Sequence, residues 1–217
     1  SSAAFYKALS LSGTYFLIFL STVSMFYVLF RTVSRAEEQA KEALAAQANN
    51  DFLTGLPNRN YLHTQSHKWI NGDREPFSLV YVDMDNFKNV NDSYGHLFGD
   101  QVIKEISERI RDSLNESSIV TRYGGDEFVI LSKIVDDESL LSESKTLSQE
   151  LSKPYHVNGH SFILGVSIGI AKYPEHGEDL DALVRKADMA MYESKKSRSK
   201  AKLYLPGLET RRLKDIR

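Results

Sequence analysis

Ile119-Val120-Thr121-Arg122-Tyr123-Gly124-Gly125-Asp126-Glu127-Phe128-Val129-Ile130-Leu131 reads as two short apolar strands, Ile119–Tyr123 and Phe128–Leu131, on either side of two glycines. Gly-Gly between strands predicts a two-residue hairpin, because both central positions of a type I′ turn need positive φ. Such a turn sets Asp126 and Glu127 on its rim. Upstream, Phe77–Val82 is the most apolar run of strand length, bounded by Pro76 and by Asp83. Asp83 and Asp85 stand at its carboxyl end, where open sheets place their ligand sites. Neighbouring strands lie about 4.8 Å apart. A hairpin beside the Asp83 strand therefore lets two carboxylates share one or two hard cations. Oxygen-only ligation with water left over suits Mg²⁺, which typically arrives with phosphates. Taken singly, either acidic pair reads equally as a solvated loop.

Outward from these strands the chain alternates. Helix signals cover Arg59–Ile70, Phe98–Leu114, Ser139–Leu151 and Leu180–Lys195, with strand signals at Phe162–Ala171 and Leu203–Tyr204. Alternating strands and helices with one inserted hairpin predict an α/β (α+β) domain, its helices packed on a sheet. The 217 residues allow one full domain plus an attachment. A hydrophobic fraction of 41% is enough for a core, which excludes wholesale disorder. With 27 basic against 29 acidic side chains, the net charge of -2 argues against a nucleic-acid coat. The absence of cysteine excludes disulfides, thiolate-bound zinc and thiol catalysis.

The attachment is N-terminal. Ala8 to Phe30 carries no charge, and these residues span roughly 35 Å as a helix, enough for a bilayer core of about 30 Å. The reading is a membrane span over residues 8–30. A cleaved signal peptide would end in a small-residue site, whereas this run ends at Arg31; a buried core helix is the bland alternative. Arg31 and Arg35 after the span, against Lys7 before it, favour a cytoplasmic C-terminal side. Residues 32–50 follow, rich in Ala, Glu and Gln. Val33, Ala36, Ala40 and Ala43 fall at coiled-coil spacing, which reads as a signalling helix pairing with a second copy or as a single solvated helix.

Five segments together carry a resemblance. Arg122–Phe128 reads RYGGDEF, Asp51–Arg59 reads DFLTGLPNR, and Val82–Asp100 reads VDMDNFKNVNDSYGHLFGD. GVSIGIA at Gly165–Ala171 and ADMAMYESK at Ala187–Lys195 complete the order. The region from Asp51 to about Tyr204 resembles the GGDEF family of diguanylate cyclases. The resemblance implies a nucleotidyl-cyclase or polymerase-palm-like fold with a central, mostly antiparallel sheet flanked by helices. It implies condensation of two GTP into cyclic di-GMP across a homodimer, with Mg²⁺, or Mn²⁺ as a substitute, held by Asp83, Asp126 and the Met84 carbonyl. Glu127 is implied as a further ligand or as proton acceptor. Asn91 and Asp100 match the guanine-binding positions, and a carboxylate there accepts from guanine N1–H and its amino group. Phe87, Lys88, Gly124, Gly125, Lys195 and Arg198 are the implied phosphate and nucleotide contacts. The family's basic string is altered here to KKSRSK, which leaves open which of Lys196, Arg198 and Lys200 reaches phosphate.

Many relatives carry Arg-x-x-Asp before the glycines as a product-inhibition site. Asn115 and Ser118 stand at those positions here and lack both the guanidinium fork and the carboxylate. Inhibition through that site is expected to be absent or very weak. The domains expected are 1–31 for flank and span, 32–50 for the signalling helix, 51–205 for the catalytic domain and 206–217 for a charged tail. That tail, PGLETRRLKDIR, resembles a linker into an EAL-type domain, so an upstream sensor and a downstream EAL domain are expected beyond the two ends. The resulting expectation is a bacterial inner-membrane protein with its catalytic domain in the cytoplasm.

Overall fold

The structure, a computed structural model, describes residues 2–208 except 74, 116 and 198, and side chains except at 2–14, 17, 42, 43, 46 and 73. The chain divides into two units, Ser1–Ala48 and Asn49–Arg217. The first is carried by one helix, α1 (Ser2–Asn49), so the stretches expected as span and signalling helix run on without a break. Large side chains from Tyr15 through Val33 stand exposed along it, and the Ala43 side chain of the expected seam lies outside the described residues.

The expected membrane span over residues 8–30 falls partly on side chains outside the described residues. Among the described residues, no helix is long and apolar enough to cross a membrane. The side chains at 8–14 and 17 lie outside the described residues.

The second unit opens with a turn and the helix α2 (Arg59–Lys68), whose first amides, those of Asn60 and Tyr61, donate to the Asn58 side chain. Then come β1 (Phe77–Asp85), α3 (Phe87–Tyr94), α4 (His96–Ser113), β2 (Ile119–Gly124), β3 (Glu127–Ser132) and α5 (Asp137–Leu151). The chain closes with β4 (Tyr155–Val157), β5 (His160–Phe162), β6 (Gly165–Tyr173), α6 (Leu180–Lys196) and β7 (Ala201–Leu203). Five strands form one sheet in the order β2-β3-β1-β6-β7. Every pairing in it is antiparallel except β6 with β7. The sheet is therefore mixed, and mostly antiparallel as expected.

Period-two alternation along β1 splits the core into two layers. Val80, Val82 and Met84 face one way, onto Val102, Ile103, Ile106 and Ile110 of α4 and Leu147 and Leu151 of α5. Phe77, Leu79 and Tyr81 face the other, onto Leu62 of α2 and Leu183, Ala187 and Met191 of α6. Gly169 of β6 decides how close α6 comes: a Cβ there would collide with the Ala187 carbonyl and the Met191 backbone. Ala187, Met191 and Lys195 share one helical face at steps of four. The contact at Gly169 thus aims Lys195 at the carboxyl end of β1.

Two local expectations are revised. The single strand expected over Phe162–Ala171 is split, its start belonging to the small β4–β5 hairpin and the remainder to β6. The β2–β3 turn is also shifted by one residue. Gly124 still pairs with Glu127, so the two turn residues are Gly125 and Asp126, and of these only Gly125 has positive φ, at 53°. A register shift between Arg122 and Gly124 absorbs the extra residue as a bulge. Asp126 is consequently part of the turn itself rather than of its rim.

Candidate active site

The sheet register assembles the acidic group. Asp83 is the cross-strand partner of Glu127 on one side and of Ser167 on the other. Residues paired across strands project to the same face, so Asp83 and Glu127 share the α6 side of the sheet with Asp126 in the adjoining turn. Met84, one residue on, turns its side chain into the opposite core layer and is 1% exposed, leaving only its backbone carbonyl for the site. Asp85 accepts a hydrogen bond from Ser167 Oγ at 2.8 Å.

Electrostatics mark this edge as under-neutralised. Burial, then the negative charge of Asp83, push the Asp126 carboxyl above its ordinary range, with Lys195 and Arg122 opposing. Burial also raises Glu127; a hydrogen bond from the Tyr81 hydroxyl works against the rise, while Asp83, Asp126 and Asp188 reinforce it. Lys195 Nζ lies 2.8 Å from Asp83 Oδ2 and 3.4 Å from Asp85 Oδ1. Burial disfavours its charge, but the bond to Asp83 and the attraction of both carboxylates hold its pKa above that of a free lysine. Among the described residues, no group of three or more His, Asp or Glu side chains is arranged as a cage for a metal. The donor set is instead an open one, of two or three carboxylates plus the Met84 carbonyl. All its donors are oxygen, its charges repel one another, and a hard cation with retained water fits such a set.

Two braces hold the hairpin, and reading the sequence missed both. Arg122 donates through Nε and NH2 to the Gly125 carbonyl at 3.0 and 2.8 Å, and through NH1 to Asp51 Oδ1 at 2.9 Å. Asp51 also takes the Thr54 amide and hydroxyl. Burial tends to raise its pKa, yet the bonds from Arg122 and Thr54 outweigh that and hold it below the usual carboxylate range. The second brace is aromatic. The Arg59 guanidinium sits 4.7 Å over the Tyr123 ring, and Tyr123 meets Tyr81 edge-on at 5.7 Å. The available signal was positional. Arg122 immediately precedes the glycines, and Tyr81 lies two residues before Asp83, hence on its face.

The expected nucleotide contacts fall into two groups. Asn86, with φ of 60°, turns the chain from β1 into α3, so that the first amides of α3, at Phe87 and Lys88, open next to Asp85. The Phe87 side chain is buried and Lys88 is exposed. Gly99 has no Cβ to displace the Asn91 side chain lying against it, which puts Asn91 beside the turn of α4 that carries Asp100. Asp100, Gly124 and Gly125 line a cleft of about 500 Å³ together with Asp51, Phe52, Arg59 and Tyr123. Lys195 pairs with carboxylates, and Arg198 lies outside the described residues. Asn115 and Ser118 are apart from this group. Asn115 Oδ1 accepts from the Ser117 amide and from both the Ser117 and Ser118 hydroxyls.

Comparison with known proteins gives a consistent answer. Residues 48–201 match the family described as "Diguanylate cyclase, GGDEF domain". The chain is 38% identical over 159 residues to the diguanylate cyclase TpbB of Pseudomonas aeruginosa, covering 71% of this chain and 37% of that protein. It is 39% identical over 172 residues to the cyclic di-GMP phosphodiesterase PdeR of Escherichia coli, covering 79% of this chain and 26% of PdeR. Among solved structures, the GGDEF domain of TpbB superimposes with a TM-score of 0.68 at 34% identity, covering 74% of this chain and 97% of that domain. The chain thus spans between about a quarter and two-fifths of the length of these curated relatives.

Proposed function

Because this chain belongs to the GGDEF family, we propose that it is a diguanylate cyclase, joining two GTP molecules into cyclic di-GMP with release of two pyrophosphates. The observation that carries the reading is the Asp83–Glu127 cross-strand pair with Asp126 in the next turn, a half-buried cluster of like charge whose members push one another's pKa upward.

Asp83, Asp126 and the Met84 carbonyl would hold Mg²⁺, or Mn²⁺ in its place. The cation supplies neutralisation of the carboxylates and polarisation of the phosphoryl oxygens. The residues of the chain do the rest. The amides at Phe87 and Lys88, the Lys88 ammonium and Lys195 receive the triphosphate, with Arg198 as a further cation, while Gly124 and Gly125 let the backbone approach the nucleotide. Glu127, oriented by the Tyr81 hydroxyl, accepts the proton of the ribose 3′-hydroxyl or completes the ligand set. The 3′ oxygen of one GTP forms a bond to the α-phosphorus of the other as the bond to pyrophosphate breaks, and the reciprocal attack closes the ring. Asn91 and Asp100 read the guanine edge. Adenine would leave the Asp100 carboxylate without a donor, at a cost of about 1–3 kcal/mol.

One protomer presents one GTP, so two copies must face each other, with the seam of Val33, Ala36, Ala40 and Ala43 as the pairing element. Turnover then rises with protein concentration and with enforced pairing of α1. A second reading is supported by the likeness to PdeR, of which this chain covers only a quarter: a GTP-binding module without turnover that controls an adjacent domain.

The deciding experiment follows product formation from GTP and Mg²⁺ by chromatography, beside an Asp126→Asn control. Cyclic di-GMP that vanishes in the control supports the cyclase. GTP binding without product, even with the helices artificially paired, supports the regulatory module and rules out the cyclase.

A further inference from the structure

Phe52 is 97% exposed, more than any other large apolar side chain described. An exposed phenylalanine on a fraying segment would carry no message, but its backbone is pinned on both sides. The Asp51 amide donates to the Leu56 carbonyl at 2.8 Å, and the Gly55 amide returns to the Asp51 carbonyl at 2.8 Å. Arg122 and Thr54 hold the Asp51 carboxylate. Leu53 packs against the core on the other flank, and Leu56 is buried within it. The turn is therefore rigid and holds one aromatic ring out into water.

That ring lines the 500 Å³ cleft that also contains Asp100, Gly124 and Gly125. The volume is within the range of small-molecule sites. Recognition of a purine needs an edge reader and a face. Asp100 supplies acceptors for the edge, and the glycines leave the approach open. The cleft's other aromatic ring, Tyr123, is already engaged by the Arg59 guanidinium and by Tyr81. Phe52 is the ring whose faces remain uncovered.

We propose that Phe52 is an additional substrate-binding residue, stacking on the guanine of GTP while Asp100 and Asn91 read its edge. This rests on the reading that the chain binds GTP. Stacking acts on the face of any base, so Phe52 contributes affinity and the edge readers contribute selectivity.

The test measures binding of a non-reacting α,β-methylene analogue of GTP to the full chain with Mg²⁺, for the wild type, Phe52→Ala, Phe52→Trp and Leu205→Ala. Leu205 is a second exposed apolar residue, and it does not line the cleft. Loss of the ring is expected to weaken binding by about tenfold, while Phe52→Trp keeps the wild-type affinity and its new indole fluorescence is quenched by the analogue. Leu205→Ala binds as the wild type does. Wild-type affinity in Phe52→Ala, or an unquenched Phe52→Trp that still binds, overturns the inference and leaves the proposed function standing. Failure of the wild type itself to bind overturns the proposed function and this inference with it.

Discussion

The two ends of β2 solve opposite problems. Before Ile119 the chain turns through Asn115, Ser117 and Ser118, where one amide oxygen accepts three hydrogen bonds from its own loop. Those bonds are drawn from within the turn itself, whose sequence also carries Glu116. After Tyr123 the chain turns through Gly125 and Asp126, and three carboxylates converge where burial and mutual repulsion push Asp126 and Glu127 upward. Here the local bond from Arg122 to the Gly125 carbonyl is itself anchored from elsewhere in the sequence, by Asp51, while Arg59 and Tyr81 hold Tyr123. A loop that meets its own hydrogen-bonding needs has little left to offer a ligand. A turn that holds repelling charges in place through distant braces is stable only because the rest of the domain supports it, which is the usual trade between stability and activity.

The largest break of this contrast comes from neutralising the charged end. Asp83→Asn or Asp126→Asn should lower cyclic di-GMP formation on the order of 10²-fold or more, comparable to removing one preorganised electrostatic group from an active site. In Asp126→Asn stability should hold or rise, because a repelling charge is removed, whereas Asp83→Asn also gives up the ion pair with Lys195. A melting temperature of Asp126→Asn that fell along with activity would mean that the cluster serves the fold.

Next in size is the Arg122–Asp51 brace, whose side chains are 13% and 17% exposed. Asp51→Asn should cost about 1–3 kcal/mol, the range for hydrogen bonds to charged groups. It should also reduce turnover, since the Gly125 carbonyl loses a fixed partner. The pH dependence has a definite sign. Asp51 is held below its ordinary value, so its contribution is complete above the unfolded pKa of about 4 and is lost as pH falls through the lower folded value. The stability gap between wild type and Asp51→Asn should be constant from neutral pH to about pH 5 and narrow below that. A gap independent of pH down to about pH 2 would remove the ion pair from the account.

The same contrast explains what could be read from the chain alone. Strands β1, β2 and β3, the helices α4, α5 and α6 and the acidic residues were legible because period and turn chemistry are local. The register that pairs Asp83 with Glu127 came only with the structure, which sets the hairpin beside β1. The braces were not legible, since Asp51 and Arg122 meet across 71 positions and nothing local in either residue names the other. The short helix α3 and the β4–β5 hairpin escaped notice for want of a long periodic pattern. The glycine turn was misplaced by one residue because Gly125 and Asp126, not Gly124 and Gly125, take the two turn positions, and the bulge that permits this depends on pairing with β3.

A smaller effect separates orientation from packing. Tyr81→Phe removes one oxygen and leaves the ring against Tyr123, so stability should stay within about 0.5 kcal/mol. Turnover should fall about three- to tenfold if the hydroxyl orients Glu127, the range of a modest hydrogen bond. Equal turnover in the two proteins would reduce Tyr81 to a packing residue.

The smallest effect belongs to the Asn115 end. Asn115→Ala removes the acceptor of three loop hydrogen bonds, all solvent-exposed, and water replaces each partner lost. The cost should be about 1 kcal/mol or less, with cyclic di-GMP formation within twofold of the wild type. Added product should not slow the wild-type enzyme through this loop, because a dianionic dinucleotide finds neither a guanidinium fork nor a carboxylate at positions 115 and 118. Initial rates measured across a titration of cyclic di-GMP, for the wild type and Asn115→Ala, check both statements. Inhibition of the wild type that Asn115→Ala relieves would give this end of β2 a ligand after all, and with it the functional character assigned here only to the other end.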